Sequence, residues 1–279
     1  MTTTLKLWLN SVAMTSTNIG ALIVFAIIYL LLLLASYFFI STREATVGQV
    51  FVTYALMIVI PALFFIYQAA IIDRVRDGKF RWPAIVRDAV RFFLATIPLI
   101  LIAWLFYYLL NKLAVRYPAP ALAILPATQG PPKPAPLHWP SLIFASAKFV
   151  LLGVALPLAA IHLWVEVASC NLRESLRGGA KLVISRLGRR FACAFGPESV
   201  LIYALGLVFF FVLPYTVLFV PFTPKGNKTD FAVFILRLLL AYIFSLIGWV
   251  VTVSALARVN PESAPAVAVA TAQPVEAAA

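Results

Sequence analysis

The sequence is poor in charge, in cysteine and in histidine, and each shortage argues against a class of protein. Only 11% of the 279 residues are charged, whereas 63% are hydrophobic. A soluble domain carries about 25% charged residues and needs polar groups to cover its surface. The two cysteines, Cys170 and Cys193, have 22 residues between them, a spacing that indicates neither a disulfide scaffold nor a zinc framework. With only two histidines, we expect no metal and no cofactor.

Acidic residues are also scarce, and the motifs of several enzyme classes are missing. Ten Asp and Glu stand against 22 Lys and Arg, which gives a net charge of +12. A P-loop, an H-E-x-x-H zinc motif and a G-x-S-x-G nucleophile motif are all lacking. The sequence therefore predicts a protein that is not an enzyme. Because the basic residues lie mainly in short segments between apolar runs, we do not expect nucleic acid as a partner.

Long apolar runs are what the sequence has in abundance. A helix needs about 20 apolar residues to cross a bilayer, and six runs are long enough. They cover about residues 19–40, 48–72, 92–110, 141–167, 192–222 and 231–257. The pattern predicts an all-α integral membrane protein whose transmembrane domain of six helices covers residues 1–258. The Ala- and Pro-rich tail, 259–279, is expected to be disordered.

Two of the segments between these runs are strongly basic. Residues 73–91 and 168–190 contain six Lys and Arg each, and the other loops contain fewer for their length. The positive-inside rule places both segments in the cytoplasm, together with both termini. The sequence predicts a multi-pass protein of the bacterial cytoplasmic (inner) membrane.

Both basic segments predict amphipathic helices on the cytoplasmic membrane surface. In the first, Arg87, Asp88 and Arg91 share the polar face opposite an apolar stripe. In the second, Arg186 and Arg190 occupy comparable positions. We expect the four arginines to contact the headgroups of anionic lipids.

A weak internal correspondence links the two basic segments. Counting 99 residues on from Arg91 and Pro98 leads to Arg190 and Pro197. With a degenerate copy at the N-terminus, the chain would consist of three helix-hairpin repeats, each an amphipathic helix followed by a transmembrane hairpin. The identities are few, so a chain without repeats is the alternative.

Among the ionisable residues within the predicted spans, where charge is costly, four are candidates for a site. Lys148 and Arg237 lie at similar depths and predict a site for an anionic headgroup or substrate; the alternative is that both side chains snorkel to the interface. His162 and Glu166 are four residues apart and share one helix face. They predict a proton relay or a substrate contact, or else an ordinary pair at a helix end.

The stretch RDGKFRWPAIVRDAVRFF, residues 76–93, lies between two of the runs. In this arrangement the chain resembles bacterial multi-pass families of uncharacterised function. It is similar in style to the membrane domain attached to some glycerophosphodiester phosphodiesterases. The resemblance covers about residues 48–260 and implies a helical bundle with cytoplasmic surface helices. It carries over no phosphodiesterase activity, because the sequence has no such catalytic domain.

Two functional hypotheses result. The first is a non-enzymatic polytopic membrane protein that contacts anionic lipid or organises partners, either another membrane protein or a second copy of this chain. The second is a small transporter or lipid-handling permease that uses an intramembrane cavity. Because a route for a soluble solute needs more polar lining than these runs offer, the sequence favours the first hypothesis.

Overall fold

The fold of the chain is given by a computed structural model. It describes residues 2–43, 46–118, 138–169, 188, 190–221 and 226–259, so residues 260–279 of the predicted tail lie outside the described part. The described residues form helices and no strand. The seven long helices are α1, Thr2–Ser16; α2, Ile19–Ser41; α3, Val47–Asp77; α4, Trp82–Ala114; α5, Trp139–Ser169; α6, Pro197–Phe219; and α7, Asn227–Ala257.

Six of these helices, α2 to α7, are long and apolar enough to cross a membrane. Within the apolar stretch of each helix, at most 22% of the residues are buried inside the protein. Large apolar side chains point outward instead; Phe51 and Ile58, for example, are 70% and 73% exposed. A bilayer is the solvent that covers such a surface favourably. The predicted class, an all-α membrane protein with six spans, is confirmed.

Short polar turns define several helix ends. At the start of α2, the side chain of Asn18 accepts a hydrogen bond from the N–H of Ala21 at 3.1 Å. At the start of α3, Thr46 and Gln49 form a capping box. α3 ends at Gly78, whose φ of 69° lies in the left-handed region that glycine adopts without strain. Because these turns are short, α2, α3 and α4 pack as antiparallel neighbours.

The two ends of the bundle differ in charge. At one end of the bundle α3 ends and α4 begins, and α5 and α7 end at the same level. Two hydrogen bonds show this: Arg76 donates to the carbonyl of Ala168 in the last turn of α5, and Arg190 donates to that of Val259 after α7. We call this the charged end, comprising residues 73–91, 166–169, 190–197 and 257–259. The opposite end contains the stop of α4 and the start of α5.

The N-terminal helix α1 packs along α7. Its buried residues Thr4, Trp8 and Ser11 are spaced to share one face. The ring of Trp8 lies 4.9 Å from that of Phe209, which is twelve residues into α6, about 18 Å along that helix from the charged end at 1.5 Å per residue. α1 therefore inserts its apolar face into the bundle.

Several helices extend past the apolar runs from which spans were predicted, whereas α6, Pro197–Phe219, is shorter than the predicted span 192–222. α3 continues to Asp77, and α4 starts at Trp82, ten residues before the predicted span at 92. The segment expected to form a surface helix is therefore the beginning of α4. Ile85 and Phe92 on this segment are fully buried, because the start of α4 packs against α3 and α5.

Prolines inside two helices are compensated by hydroxyl groups from neighbouring helices. Pro157 cannot bond to the carbonyl four residues back, that of Gly153, which instead accepts a hydrogen bond from the hydroxyl of Tyr203 at 2.9 Å. Pro214 likewise leaves the carbonyl of Phe210, which lies 3.4 Å from Oγ of Ser245. A π-helical stretch precedes each proline, at Phe149–Ala155 in α5 and Val208–Val212 in α6. The freed carbonyls are thus satisfied without water.

Two prolines that correspond in the proposed repeat, Pro98 and Pro197, occupy different positions in their helices. Pro98 lies within the continuous helix α4, whereas Pro197 is the first residue of α6 and follows a turn at Gly196. The two positions that correspond in sequence therefore have different structural roles. Residues 170–187 of the second basic segment, including Arg186, lie outside the described residues, and the repeat stays a prediction.

Candidate lipid-contact site at the charged end

Asp73 anchors the turn between α3 and α4. Its side chain is 2% exposed and lies 3.3 Å from Nη2 of both Arg76 and Arg81. The backbone N–H of Arg81 also donates a hydrogen bond to it at 3.0 Å. Asp77 pairs with the same two arginines. A buried carboxylate needs donors of this kind, so these two arginines stabilise the turn.

Asp88, in the second turn of α4, is also a buried carboxylate with two arginine partners. Its carboxylate lies 3.5 Å from Nε of Arg87 and 3.3 Å from Nη1 of Arg91. The sequence pattern assigned Asp88 to a polar outer face, but the structure buries it. The reason is that this part of α4 packs within the bundle rather than lying flat on a surface.

The arginines predicted to contact headgroups differ in how much of their side chain is available. Arg190 is 15% exposed, donates to Oε2 of Glu166 at 2.7 Å and links α5 to the end of α7. Arg91 is 27% exposed and Arg87 is 60% exposed. Of the three that the structure describes, Arg87 thus presents the most surface, while contact of any of these arginines with lipid stays a prediction.

An apolar groove lies beside Arg87, between α3 and α4. It has a volume of about 340 Å³ and is open to the outside of the bundle. Arg87 precedes the groove residue Val90 by three positions, so their side chains are neighbours on the helix surface. All the residues that line it are apolar: Met57, Ile58, Pro61, Ala62, Phe65, Ile66, Val86, Ala89, Val90 and Phe93.

His162 and Glu166 have different environments, although both belong to α5. The imidazole of His162 is 1% exposed, and neither ring nitrogen has a hydrogen-bond partner among the described residues. Glu166 is bound to Arg190 at the charged end. The structure therefore assigns Glu166 an ion pair, and the predicted joint role with His162 stays untested.

Lys148 and Arg237 are on different helices. Nζ of Lys148 lies 2.5 Å from Oδ1 of Asn111 and 5.3 Å from the centre of the Tyr107 ring, both on α4. Tyr107 and Asn111 are four residues apart and share one face of α4, but the sequence does not show that Lys148 packs against this face. Arg237 is half-buried on α7. A shared anion site for the two side chains stays a prediction.

A small, partly open cavity between four helices, with a mostly apolar lining, was missed by sequence reasoning. It measures about 170 Å³ and lies where α2, α3, α6 and α7 meet. Oε1 of Gln68 accepts a hydrogen bond from Nε1 of Trp249 at 3.1 Å. The Nε2 group of Gln68 and the hydroxyl of Tyr67 are buried and have no hydrogen-bond partner within the described chain. The available signal was a single glutamine inside an apolar run.

The described residues contain no cluster of three or more His, Cys, Asp or Glu side chains with the proximity that a metal ion requires. In comparisons with known proteins, no family model, no curated protein and no solved structure matches the chain.

Proposed function

We propose that this protein is a non-enzymatic polytopic membrane protein that binds anionic lipid at its charged end. The observation that carries the proposal is the apolar groove between α3 and α4 with the exposed Arg87 beside it. An apolar groove suits an acyl chain, and a guanidinium suits a phosphate oxygen. The two features together match the two parts of a phospholipid.

The groove has the direction that such a lipid requires. On α4 it extends from Val86 to Phe93, about 10 Å along the axis, from the charged end towards the middle of the bundle. Trp82, in the first turn of α4, is 48% exposed, and tryptophan favours the headgroup level of a membrane. A headgroup at Arg87 would therefore leave its acyl chain pointing into the bilayer.

The charged end is proposed to face the cytoplasm of a bacterial inner membrane. The support is the basic excess of residues 73–91 and 168–190 together with the positive-inside rule. The cytoplasmic leaflet is also the one whose anionic lipids attract basic side chains.

Two variants test the lipid proposal, each with a matched control. Arg87→Gln removes the charge beside the groove. Its control, Arg116→Gln, removes an exposed arginine that follows the end of α4, at the opposite end of the bundle. Ala62→Trp fills the groove, and Ala232→Trp adds the same bulk on the exposed face of α7. Native mass spectrometry would measure the retention of phosphatidylglycerol against phosphatidylcholine.

We expect Arg87→Gln to reduce the retention of phosphatidylglycerol selectively. Ala62→Trp should reduce the retention of both lipids, because it blocks the acyl-chain groove. Both controls should retain lipid like the wild type. Equal retention in all five proteins would contradict the proposal, and co-purification of another membrane protein instead of lipid would favour a role in organising partners.

The cavity between α2, α3, α6 and α7 supports a second candidate function, a lipid-handling permease or small transporter. Gln68 and Tyr67 place polar groups inside the bundle, and such groups mark substrate paths in membrane proteins. The test is the movement of fluorescent phosphatidylglycerol between the leaflets of vesicles that contain the protein. Movement that is lost in Gln68→Leu would favour this function, and no movement above that of protein-free vesicles would exclude it for this lipid.

A further inference from the structure

Two arginines at the charged end differ from their neighbours there. Neither Arg74 nor Arg258 has a carboxylate partner among the described residues, and both line the same pocket. The other described arginines at this end all lie within 3.5 Å of a carboxylate: Arg76, Arg81, Arg87, Arg91 and Arg190. The pocket therefore contains two positive charges and, within the described chain, no acidic group.

The pocket has a polar rim and an apolar floor. It measures about 230 Å³ and lies between the turn that joins α1 to α2 and the ends of α3 and α7. Ser254 lines it, is 5% exposed and has no hydrogen-bond partner among the described residues. Thr15, Thr17 and Asn18 contribute further polar groups, and the floor is apolar: Phe25, Ile71 and Val250.

Local contacts leave both guanidinium groups able to donate hydrogen bonds. Arg74 lies 5.7 Å from the centre of the Phe80 ring, which positions its charge without using its N–H groups. Arg258 makes one side-chain hydrogen bond within the described chain, to Oγ of Ser11 at 3.4 Å. Burial lowers the pKa of Arg258 from its ordinary value, yet a guanidinium keeps its proton at physiological pH.

The start of α2 adds to the positive potential of the pocket. Asn18, on the rim, caps this helix, whose first N–H groups have no partner within the helix. The positive end of the helix dipole therefore points towards the rim. A simpler explanation assigns each arginine only to the negative C-terminal end of its own helix, α3 or α7. That explanation leaves the convergence of both arginines on one pocket with the unpartnered Ser254 without a cause.

We propose that this pocket binds a phosphate group, carried either by a lipid headgroup or by a free phosphate or small phosphate ester. Two planar guanidinium groups can each donate two hydrogen bonds to phosphate oxygens. The hydroxyl of Ser254 supplies a further donor, and the apolar floor accommodates the carbon part of an ester. The pocket shares no lining residue with the groove between α3 and α4, so either proposal can fail without the other.

The test uses the full chain and two sources of phosphate. In detergent micelles, the midpoint of thermal unfolding is measured with inorganic phosphate against chloride at equal ionic strength. In lipid nanodiscs, it is measured with phosphatidylglycerol against phosphatidylcholine. The variants are Arg74→Gln, Arg258→Gln and Ser254→Ala, and the control is Arg116→Gln.

Stabilisation of the wild type by inorganic phosphate that Arg74→Gln weakens would identify a free-phosphate site. Stabilisation only by phosphatidylglycerol that the same variant weakens would identify a headgroup site. In either case both arginine variants should bind roughly tenfold to a hundredfold more weakly, since each loses hydrogen bonds to a charged group. The control should respond like the wild type. If Arg258→Gln does not fold, Arg74→Gln and Ser254→Ala provide the same comparison. Equal responses in variants and wild type, or no response to either source, would overturn the proposal.

Discussion

In the ion pairs that Asp73 forms at the charged end, the carboxylate and the guanidinium groups differ in how much of the side chain is exposed. The side chain of Asp73 is 2% exposed, while those of Arg76 and Arg81 are 31% and 52% exposed. The arginines can be hydrated or can meet a headgroup, but the carboxylate has only its protein donors. The loss of the carboxylate should therefore weaken the turn more than the loss of either arginine.

Replacement of Asp73 by Asn tests this asymmetry. The amide can still accept a hydrogen bond from the N–H of Arg81, but the charge that holds two guanidinium groups is lost. We expect the free energy of unfolding to fall by about 1–2 kcal/mol, measured by thermal unfolding in detergent micelles. Asp230→Asn is the control, because Asp230 is exposed in the first turn of α7 and should cost less than about 1 kcal/mol. Equal losses in the two variants would show that Asp73 does not anchor the turn.

Single residues at this site could be predicted by type and position but not by partner. The basic residues of 73–91 were recognised from their density alone, and Arg87 is exposed as a surface charge should be. The pairing of Asp73 with Arg81 depends on the tight turn at Gly78, and that of Glu166 with Arg190 depends on how two helix ends meet. Such contacts arise from packing, which hydropathy does not report.

At the scale of helices, the six spans could be predicted because each must present an apolar surface to lipid. Their ends could not, since hydropathy reports the part that crosses hydrocarbon, whereas caps determine where a helix stops. Gly78 ends α3 five residues beyond the predicted span end at 72. The hydrogen bond from Tyr203 to the carbonyl that Pro157 leaves free could not be predicted from the sequence either, because the two residues belong to different helices.

Gly206 determines how closely α6 and α7 approach each other. A Cβ added there would lie 2.7 Å from Cγ2 of Thr252 and would overlap its Oγ1 as well. Thr252 is fully buried and its hydroxyl donates to the carbonyl of Gly248 at 2.6 Å, so it has little room to move. A side chain at Gly206 should therefore push the two helices apart.

We expect Gly206→Ala to lower the free energy of unfolding by about 1–3 kcal/mol, the usual cost of overpacking. Gly48→Ala is the matched control, because nothing lies within 4 Å of an added Cβ at that position on α3. The double variant Gly206→Ala with Thr252→Ala should recover part of the loss by removing the overlapping atoms. Thermal unfolding of the four proteins measures these differences, and a Gly206→Ala variant as stable as Gly48→Ala would contradict the close approach.

At the scale of the whole molecule, charge and apolar surface are distributed along one axis. The described ion pairs all lie at the charged end, and the flanks of the bundle are apolar. Both proposed binding sites open near the charged end, one towards lipid and one beside the polar turns. The arginines of both proposed sites, Arg87, Arg74 and Arg258, therefore lie near the same end of the bundle.

The last prediction concerns which side of the membrane the charged end faces. In a background with Cys170 and Cys193 replaced by Ser, Lys79→Cys marks the charged end and Arg116→Cys marks the opposite end, both at exposed positions. A maleimide that cannot cross membranes should label Arg116→Cys in intact cells and Lys79→Cys only after permeabilisation. The reason is that translocation of the basic segments is disfavoured, which retains residues 73–91 inside. If the two variants exchange their labelling patterns, the orientation is the opposite of the predicted one. Both proposed sites would then lie in the outer leaflet, out of reach of the anionic lipids of the cytoplasmic leaflet.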